Sequence, residues 1–179
     1  SGQTLEAFYV SISHVNLLSF GLNCGLGAKQ MSGHIVELSS YSKFHVCAYA
    51  NAGYPDQFGS YNDTPQGMAA YVEQMLKDGL LNIVGGCCGT TPDHIARFAA
   101  LAEKYPPRQI PKLDTISTYS GINALKVLPH SNFINIGERT NVAGSKKFAR
   151  LIKEQKYEEA LSIARQQVQD GALIIDVCM

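Results

Sequence analysis

The sequence has no excess of charge of either sign, no basic cluster and no long apolar run. Its 179 residues carry 15 Lys and Arg against 15 Asp and Glu, so the formal net charge is zero. Nucleic acids and anionic membrane surfaces attract proteins through clustered cations, so this composition predicts neither as the main partner. No apolar stretch approaches the roughly 18 residues that span a bilayer, and the N-terminus lacks a charged segment followed by an apolar one. We therefore expect a soluble, cytoplasmic protein.

The cysteine pattern argues against a disulfide framework. Five cysteines are an odd number, and two of them, Cys87 and Cys88, are adjacent. A disulfide between neighbouring residues would close a strained ring, so a redox pair is disfavoured as well. The pattern is more typical of a thiol or metal site in a reducing compartment.

Hydrophobic patterning predicts strands that alternate with helices. Residues 16–20, 44–49 and 80–84 are the predicted strands of the first part, and each precedes a loop and a helical pattern of apolar residues. Thr64 and Thr91 each precede a proline, which marks a helix start with Thr as the N-cap. Three successive strand–loop–helix units predict a parallel sheet, because each crossover helix returns the chain to the same edge.

A proline-rich stretch separates a second, shorter α/β part. Pro106, Pro107 and Pro111 interrupt the pattern, and the residues that follow show no strong periodicity. Further on, the pattern predicts a strand at 132–136, a polar loop at 137–145, one or two helices over 147–170 and a strand at 173–177. The predicted domain limits are 1–105 for the first part, 106–130 for an interdomain linker and 131–179 for the second part. The chain ends on an apolar strand, from which we expect a segment of a longer protein.

Three cysteines follow predicted strands. Cys24 lies in a Gly-rich loop after the first strand, and Cys87 with Cys88 follows the third. Ligand sites in parallel α/β folds gather at the carboxyl ends of strands, so the three thiols can face one mouth. Three thiolates suit Zn²⁺ and leave a fourth tetrahedral position open, as in a catalytic site. The alternative is that these thiols are small buried hydrophobic groups, which we favour for Cys47 in the middle of the second strand.

Several motifs resemble known families. Residues 21–24 (Gly-Leu-Asn-Cys) and 85–92 (Gly-Gly-Cys-Cys-Gly-Thr-Thr-Pro) are similar to the zinc-binding motifs of the homocysteine methyltransferase barrel, and residues 51–53 with 57–59 resemble the loop between them. Residues 135–141 (Asn-Ile-Gly-Glu-Arg-Thr-Asn) resemble the start of a pterin-binding barrel. This order resembles the cobalamin-dependent methionine synthase family and differs from the stand-alone homocysteine methyltransferases.

The resemblance implies a transmethylation in two halves. Cys24, Cys87 and Cys88 would hold Zn²⁺, where homocysteine takes a methyl group from methylcobalamin, and methyltetrahydrofolate on the second barrel would remethylate the cobalt. Coordination to Zn²⁺ releases the proton of a thiol while keeping a sulfur nucleophile. The chain has no Asp-x-His-x-x-Gly cobalamin motif. The corrinoid would therefore be bound by a domain of the same full-length protein outside this chain.

The resemblance also implies folate-binding residues. Glu138 and Asn141 lie on the loop after the first strand of the second part, and Asp176 ends the next strand. An amide and carboxylates can address the donor and acceptor edge of a pterin. The alternative for Glu138 and Asn141 is a solvated loop with Asn141 as a helix cap. Cys178 departs from the family's Asp-x-Asn-Met pattern, which has Asn at that position.

Two histidines are predicted to have structural roles. His94 lies in the first turn of a helix and is expected to be a surface or capping residue, and His45 is expected to pack within a strand. Neither is needed to complete a three-cysteine site.

The expected fold class is α/β, with parallel βα units from two (β/α)8 TIM barrels. One such barrel takes typically about 250 residues, so both barrels are expected to be incomplete here. We expect the last three βα units of the first barrel, the first unit of the second, and no methyltransferase turnover by this chain alone. The competing hypothesis is a non-catalytic zinc-binding fragment, whose cysteines hold only a structural or interdomain scaffold.

Overall fold

The computed structural model describes residues 2–113 and 115–179. The chain divides into two compact units, Ser1–Lys126 and Val127–Met179. Among the described residues, none of the helices combines the length and the apolar composition that a bilayer crossing requires.

The first unit is built on a three-stranded parallel sheet in the order β1-β2-β3, which confirms the predicted parallel βα units. The strands are β1 (Ser19–Gly27), β2 (His45–Asn51) and β3 (Ile83–Gly86). The helices are α1 (Leu5–Ile12), α2 (Ala28–Tyr41), α3 (Pro65–Lys77) and α4 (Pro92–Lys104).

Threonine caps start the last two of these helices, as the Thr-Pro pairs predict. The Thr64 side chain accepts a hydrogen bond from the Gly67 N–H, and Pro65 begins α3. At the start of α4, His94 Nδ1 accepts a hydrogen bond from the Thr91 N–H at 3.2 Å. His94 Nε2 therefore carries the proton and donates to the Asp63 carbonyl at 3.0 Å. The capping role of His94 is confirmed, but the residue is buried instead of lying on the surface.

The two faces of β2 have different surroundings. Val46, Ala48 and Ala50 belong to the apolar core that the sheet shares with the helices. Burial of each large side chain in such a core contributes about 1.5–3 kcal/mol. Cys47 lies in the buried part of the strand, where burial raises the pKa of its thiol, so its predicted core role is confirmed. His45 is half-buried at the start of the strand.

Glycines allow the neighbouring strands to approach β2 closely. A Cβ on Gly21 would lie 1.9 Å from the Cys47 carbonyl oxygen, and one on Gly85 would lie 2.6 Å from the ring of Tyr49. The prediction that Cys24 lies in a Gly-rich loop is wrong, because residues 21–27 continue β1. Pairing with β2 has overridden their weak strand propensity.

Much of the predicted linker, 106–130, packs within the first unit. The Arg108 side chain is buried, and its guanidinium donates hydrogen bonds to the carbonyls of Ser39, Ser42 and Phe44. A short antiparallel hairpin, β4 (Thr118–Ser120) and β5 (Ala124–Lys126), follows. Its Ser120 hydroxyl donates to the Ala7 carbonyl of α1 at 2.7 Å. The division between the two units falls after Lys126.

The second unit is a parallel pair of strands with two helices between them. These elements are β6 (Ile136–Asn141), α5 (Lys146–Lys153), α6 (Tyr157–Gln169) and β7 (Ile174–Cys178). The predicted strand at 132–136 and loop at 137–145 are displaced, because pairing with β7 places the strand over most of the predicted loop. Phe148, Leu151 and Ala160 form the small core. Over the described residues, the first unit has three parallel strands and the second has two. Both (β/α)8 barrels are therefore incomplete in this chain, as expected.

Candidate metal centre

Three thiols meet at the carboxyl end of the first sheet. The Sγ atoms of Cys24 and Cys88 are 3.6 Å apart, and those of Cys87 and Cys88 are 3.8 Å apart. All three sulfur atoms lie within 4.8 Å of one another, and all three residues are half-buried. The structure thus brings together the three cysteines that the sequence predicts to share a site.

An irregularity in β1 positions Cys24. The register with β2 pairs Asn23 with Tyr49 and Gly27 with Asn51, so residues 24–26 stand opposite one residue of β2. Cys24 itself has a φ of 66°, in the left-handed region that few residues other than glycine adopt. Holding a side chain there costs about 1–3 kcal/mol, so the surrounding structure must impose it. Cys24 lies inside the span of β1 and not past its end.

Backbone hydrogen bonds to β2 position the other two cysteines. Cys87 N–H donates to the Ala50 carbonyl, and Ala52 N–H donates to the Cys88 carbonyl, both at 2.9 Å. The Thr90 hydroxyl also donates to the Cys87 carbonyl at 2.7 Å. The pair is therefore held from both sides, by the end of β2 and by the turn that leads into α4.

Asn51 is a site residue that the sequence analysis missed. Its side chain is buried, and its Oδ1 accepts a hydrogen bond from the Cys88 N–H at 3.1 Å. The Asn51 side chain also helps to lower the pKa of the Cys24 thiol, after the larger effects of the Gly25 N–H and the other two thiols. Asn51 is the last residue of β2, which lies between β1 and β3. Its place at the end of this middle strand is the feature from which it could have been predicted.

The local hydrogen bonds make the three thiols unequal. Hydrogen bonds lower the pKa of Cys24. The largest effect comes from the Gly25 N–H, and smaller effects come from the thiols of Cys88 and Cys87. The pKa of Cys87 is raised, chiefly by its hydrogen bond with Cys24. A hydrogen bond to Cys88 likewise raises the pKa of the nearby Tyr61 phenol. Cys24 is therefore the first of the Cys24–Cys87 pair to become a thiolate as the pH rises.

The donor set fits a zinc ion. With Zn–S bonds of about 2.3 Å, tetrahedral geometry places two sulfur ligands about 3.8 Å apart. The separations of 3.6 Å and 3.8 Å to Cys88 agree with that value. Three thiols in one cluster can hold zinc and leave one tetrahedral position for another ligand.

The second unit brings two of the three predicted folate residues together. Asn141 Nδ2 donates to Asp176 Oδ2 at 3.1 Å, and Asn141 Oδ1 accepts hydrogen bonds from the N–H groups of the loop residues Ala143 and Gly144. Asn141 does not cap a helix, since Ser145 caps α5. Glu138 is exposed on β6, and over the described residues no hydrogen bond joins it to Asn141 or Asp176.

Cys178 lies beside this pair. It is opposite Asn141 in the register of β6 and β7, and it is exposed. The residue that departs from the family pattern is therefore next to the predicted pterin-binding residues.

Comparison with protein families gives two matches. The model of the homocysteine S-methyltransferase family matches residues 1–102, more than half of the chain. The model of the pterin binding enzyme family matches residues 137–179. The first match contains all three clustered cysteines, and the second contains Glu138, Asn141 and Asp176.

Proposed function

Because this chain belongs to the homocysteine S-methyltransferase family and continues into a pterin-binding segment, we propose that it is part of a cobalamin-dependent methionine synthase. The two families support a methyl-transfer role with homocysteine and folate. The proposal adds that this chain supplies the zinc and homocysteine site and the entry of the folate site. The cluster of Cys24, Cys87 and Cys88 is the observation that carries it.

The zinc ligands in this proposal are Cys24, Cys87 and Cys88. Zinc held there would supply a Lewis acid that lowers the pKa of the homocysteine thiol, ordinarily about 8.5, so that the sulfur is a nucleophile at neutral pH. The Asn51 hydrogen bond to the Cys88 N–H fixes the backbone that presents this thiol. Three protein ligands, rather than four, leave room for the substrate sulfur.

The methyl transfer itself is a substitution at carbon. Homocysteine sulfur would lose its proton to solvent and use a lone pair to form the new S–CH₃ bond. The donor would supply the methyl group and keep the electron pair of the bond that breaks. We propose methylcobalamin as this donor, held by a corrinoid-binding domain outside the chain.

The second unit would bind methyltetrahydrofolate, the source of the methyl group. We propose that Glu138, Asn141 and Asp176 contact its pterin ring. Asn141 and Asp176 already lie within hydrogen-bond distance of each other at the carboxyl ends of neighbouring parallel strands. An amide beside a carboxylate offers both donors and acceptors to the polar edge of a pterin.

A half-reaction assay tests the homocysteine part of the proposal. In the full-length protein, Cys88→Ser should lower methionine formation from methylcobalamin and homocysteine by about 100-fold or more, because a metal ligand is lost. Cys178→Ser, a thiol in the other unit, is the matched control and should leave this half-reaction unchanged. Full turnover by Cys88→Ser would contradict the zinc assignment.

The same assay on the 179-residue chain alone tests the incomplete-barrel part of the proposal. We expect no turnover, since neither sheet encloses a barrel interior. Clear methionine formation by this chain would contradict that expectation.

A further inference from the structure

β6 contains a bulge where the proposed folate residues lie. Its register with β7 pairs Gly137 with Ile175 and then Thr140 with Val177. Two residues of β6, at positions 138 and 139, therefore stand opposite Asp176 alone. An extra residue in one strand bends it and redirects the side chains that follow, and bulges are common beside active sites.

A side chain from the neighbouring helix occupies this bulge. Gln167, near the end of α6, accepts a hydrogen bond from the Arg139 N–H through its Oε1 at 2.7 Å. Its Nε2 lies 3.5 Å from the Thr140 hydroxyl oxygen. The amide also fills the space above Gly137, where a Cβ would lie 2.6 Å from Gln167 Oε1. Gln167 therefore gives the bulged backbone a partner that the regular ladder cannot supply.

Further hydrogen bonds link Thr140, which Gln167 contacts, to the ends of β6 and β7. Thr140 is buried, and its hydroxyl donates to the Asp176 carbonyl of β7 at 2.6 Å. The next residue, Asn141, hydrogen-bonds the Asp176 carboxylate. Hydrogen bonds through Arg139 and Thr140 thus connect α6 to the Asn141–Asp176 pair.

We propose that Gln167 is a positioning residue of the folate site, which holds the β6 bulge and so sets the spacing of Glu138, Asn141 and Asp176. This inference rests on the proposed folate-binding function of the second unit. Gln167 acts through the strand, and no contact with the folate is assigned to it. Without its amide, the Arg139 N–H loses its acceptor and the bulge can return to a regular register, which would move Asn141 relative to Asp176.

The test measures the dissociation constant of methyltetrahydrofolate in the full-length protein. Gln167→Leu keeps the approximate size of the side chain and removes both polar contacts, and the dissociation constant should rise about tenfold. Gln167→Glu retains an acceptor for the Arg139 N–H and should stay within about threefold of the unchanged protein. That rescue separates a positioning role from simple packing.

Gln166→Leu is the matched control. Gln166 is the preceding residue of α6 and is exposed, and the one side-chain hydrogen bond it makes within the described residues goes to the Asp170 carboxylate at 2.9 Å. It should leave the dissociation constant unchanged. All three variants should also retain the methylcobalamin–homocysteine half-reaction. Folate binding by Gln167→Leu that equals that of the control would overturn the inference, and so would equal losses in Gln167→Leu and Gln167→Glu.

An Asn141→Ala variant separates failure of this inference from failure of the proposed function. If Asn141→Ala weakens folate binding while Gln167→Leu does not, Gln167 has no positioning role and the proposed site stands. If Asn141→Ala binds methyltetrahydrofolate as tightly as the unchanged protein, the proposed site is itself wrong, and the inference falls with it.

Discussion

The Sγ atoms of Cys24 and Cys88 lie 3.6 Å apart, although 64 residues separate them in the sequence. Their strands, β1 and β3, are not neighbours, since β2 lies between them. The irregular end of β1 and the turn after β3 both lie at the end of β2, where the Asn51 side chain accepts a hydrogen bond from the Cys88 N–H. The parallel sheet thus creates the cluster from parts of the chain that are distant in sequence.

The cluster should govern zinc retention. Cys24→Ser and Cys88→Ser should each lower the zinc that survives dialysis against a chelator from about one ion per chain to nearly none, because two thiolates bind zinc far more weakly than three. Cys47→Ala, which alters a buried thiol outside the cluster, should keep its zinc. Elemental analysis of the dialysed proteins measures this, and equal zinc in all of them would exclude the cluster as the site.

Zinc affinity should rise with pH. Protons compete with zinc for thiolates, so affinity falls as the pH falls below the thiol pKa values. The pKa of Cys24 is lowered and that of Cys87 is raised, so Cys87 keeps its proton to higher pH. The zinc affinity therefore continues to depend on pH at higher pH values. We expect the zinc affinity to rise more than about tenfold per pH unit between about pH 6 and 8, because zinc binding displaces more than one proton. Competition with a chelator calibrated at each pH measures it, and a flat profile would contradict thiolate ligation.

Substitution of Gly21 and of Gly33 by alanine should change the free energy of unfolding in opposite directions. Gly21→Ala would place a methyl group 1.9 Å from the Cys47 carbonyl oxygen and force β1 away from β2. The expected loss is about 2–3 kcal/mol of unfolding free energy. Gly33→Ala is the matched control, since Gly33 lies in α2 with nothing within 4 Å of its Cβ position. It should stabilise the chain by about 0.5–1 kcal/mol in urea titrations, and a destabilised Gly33→Ala would contradict this.

Arg108 should be important for stability. Arg108→Met would leave the carbonyls of Ser39, Ser42 and Phe44 without their guanidinium donor, at a cost of about 2–4 kcal/mol. Arg108→Lys should also destabilise the chain, because an ammonium group cannot reproduce the planar fork of donors. Arg97→Met, at an exposed position of α4, should change the unfolding free energy by less than about 0.5 kcal/mol. Equal urea midpoints for Arg108→Met and Arg97→Met would refute this role.

The sequence carried enough local information to predict the parallel units and the helix starts. Thr64 and Pro65 define the start of α3 without reference to the rest of the chain, because a cap and a fixed φ are local properties. The three cysteines could be selected as well, since the carboxyl ends of parallel strands share one edge.

The details that were wrong or missed depend on contacts between distant residues. Gly21 belongs to a strand because β2 pairs with it, and nothing in its own propensity indicates this. The position of β6 is similarly decided by β7. Gln167 is an ordinary polar residue in the sequence, and its role emerges only when the β6 bulge is placed beside it.

X-ray absorption at the zinc edge tests the central claim most directly, because it counts the sulfur atoms around the metal. For the zinc-loaded protein, we expect three sulfur ligands and one lighter ligand, with a fourth sulfur replacing the lighter ligand when homocysteine is added. Four fixed ligands that homocysteine leaves unchanged would contradict the substrate site and would support a purely structural zinc centre.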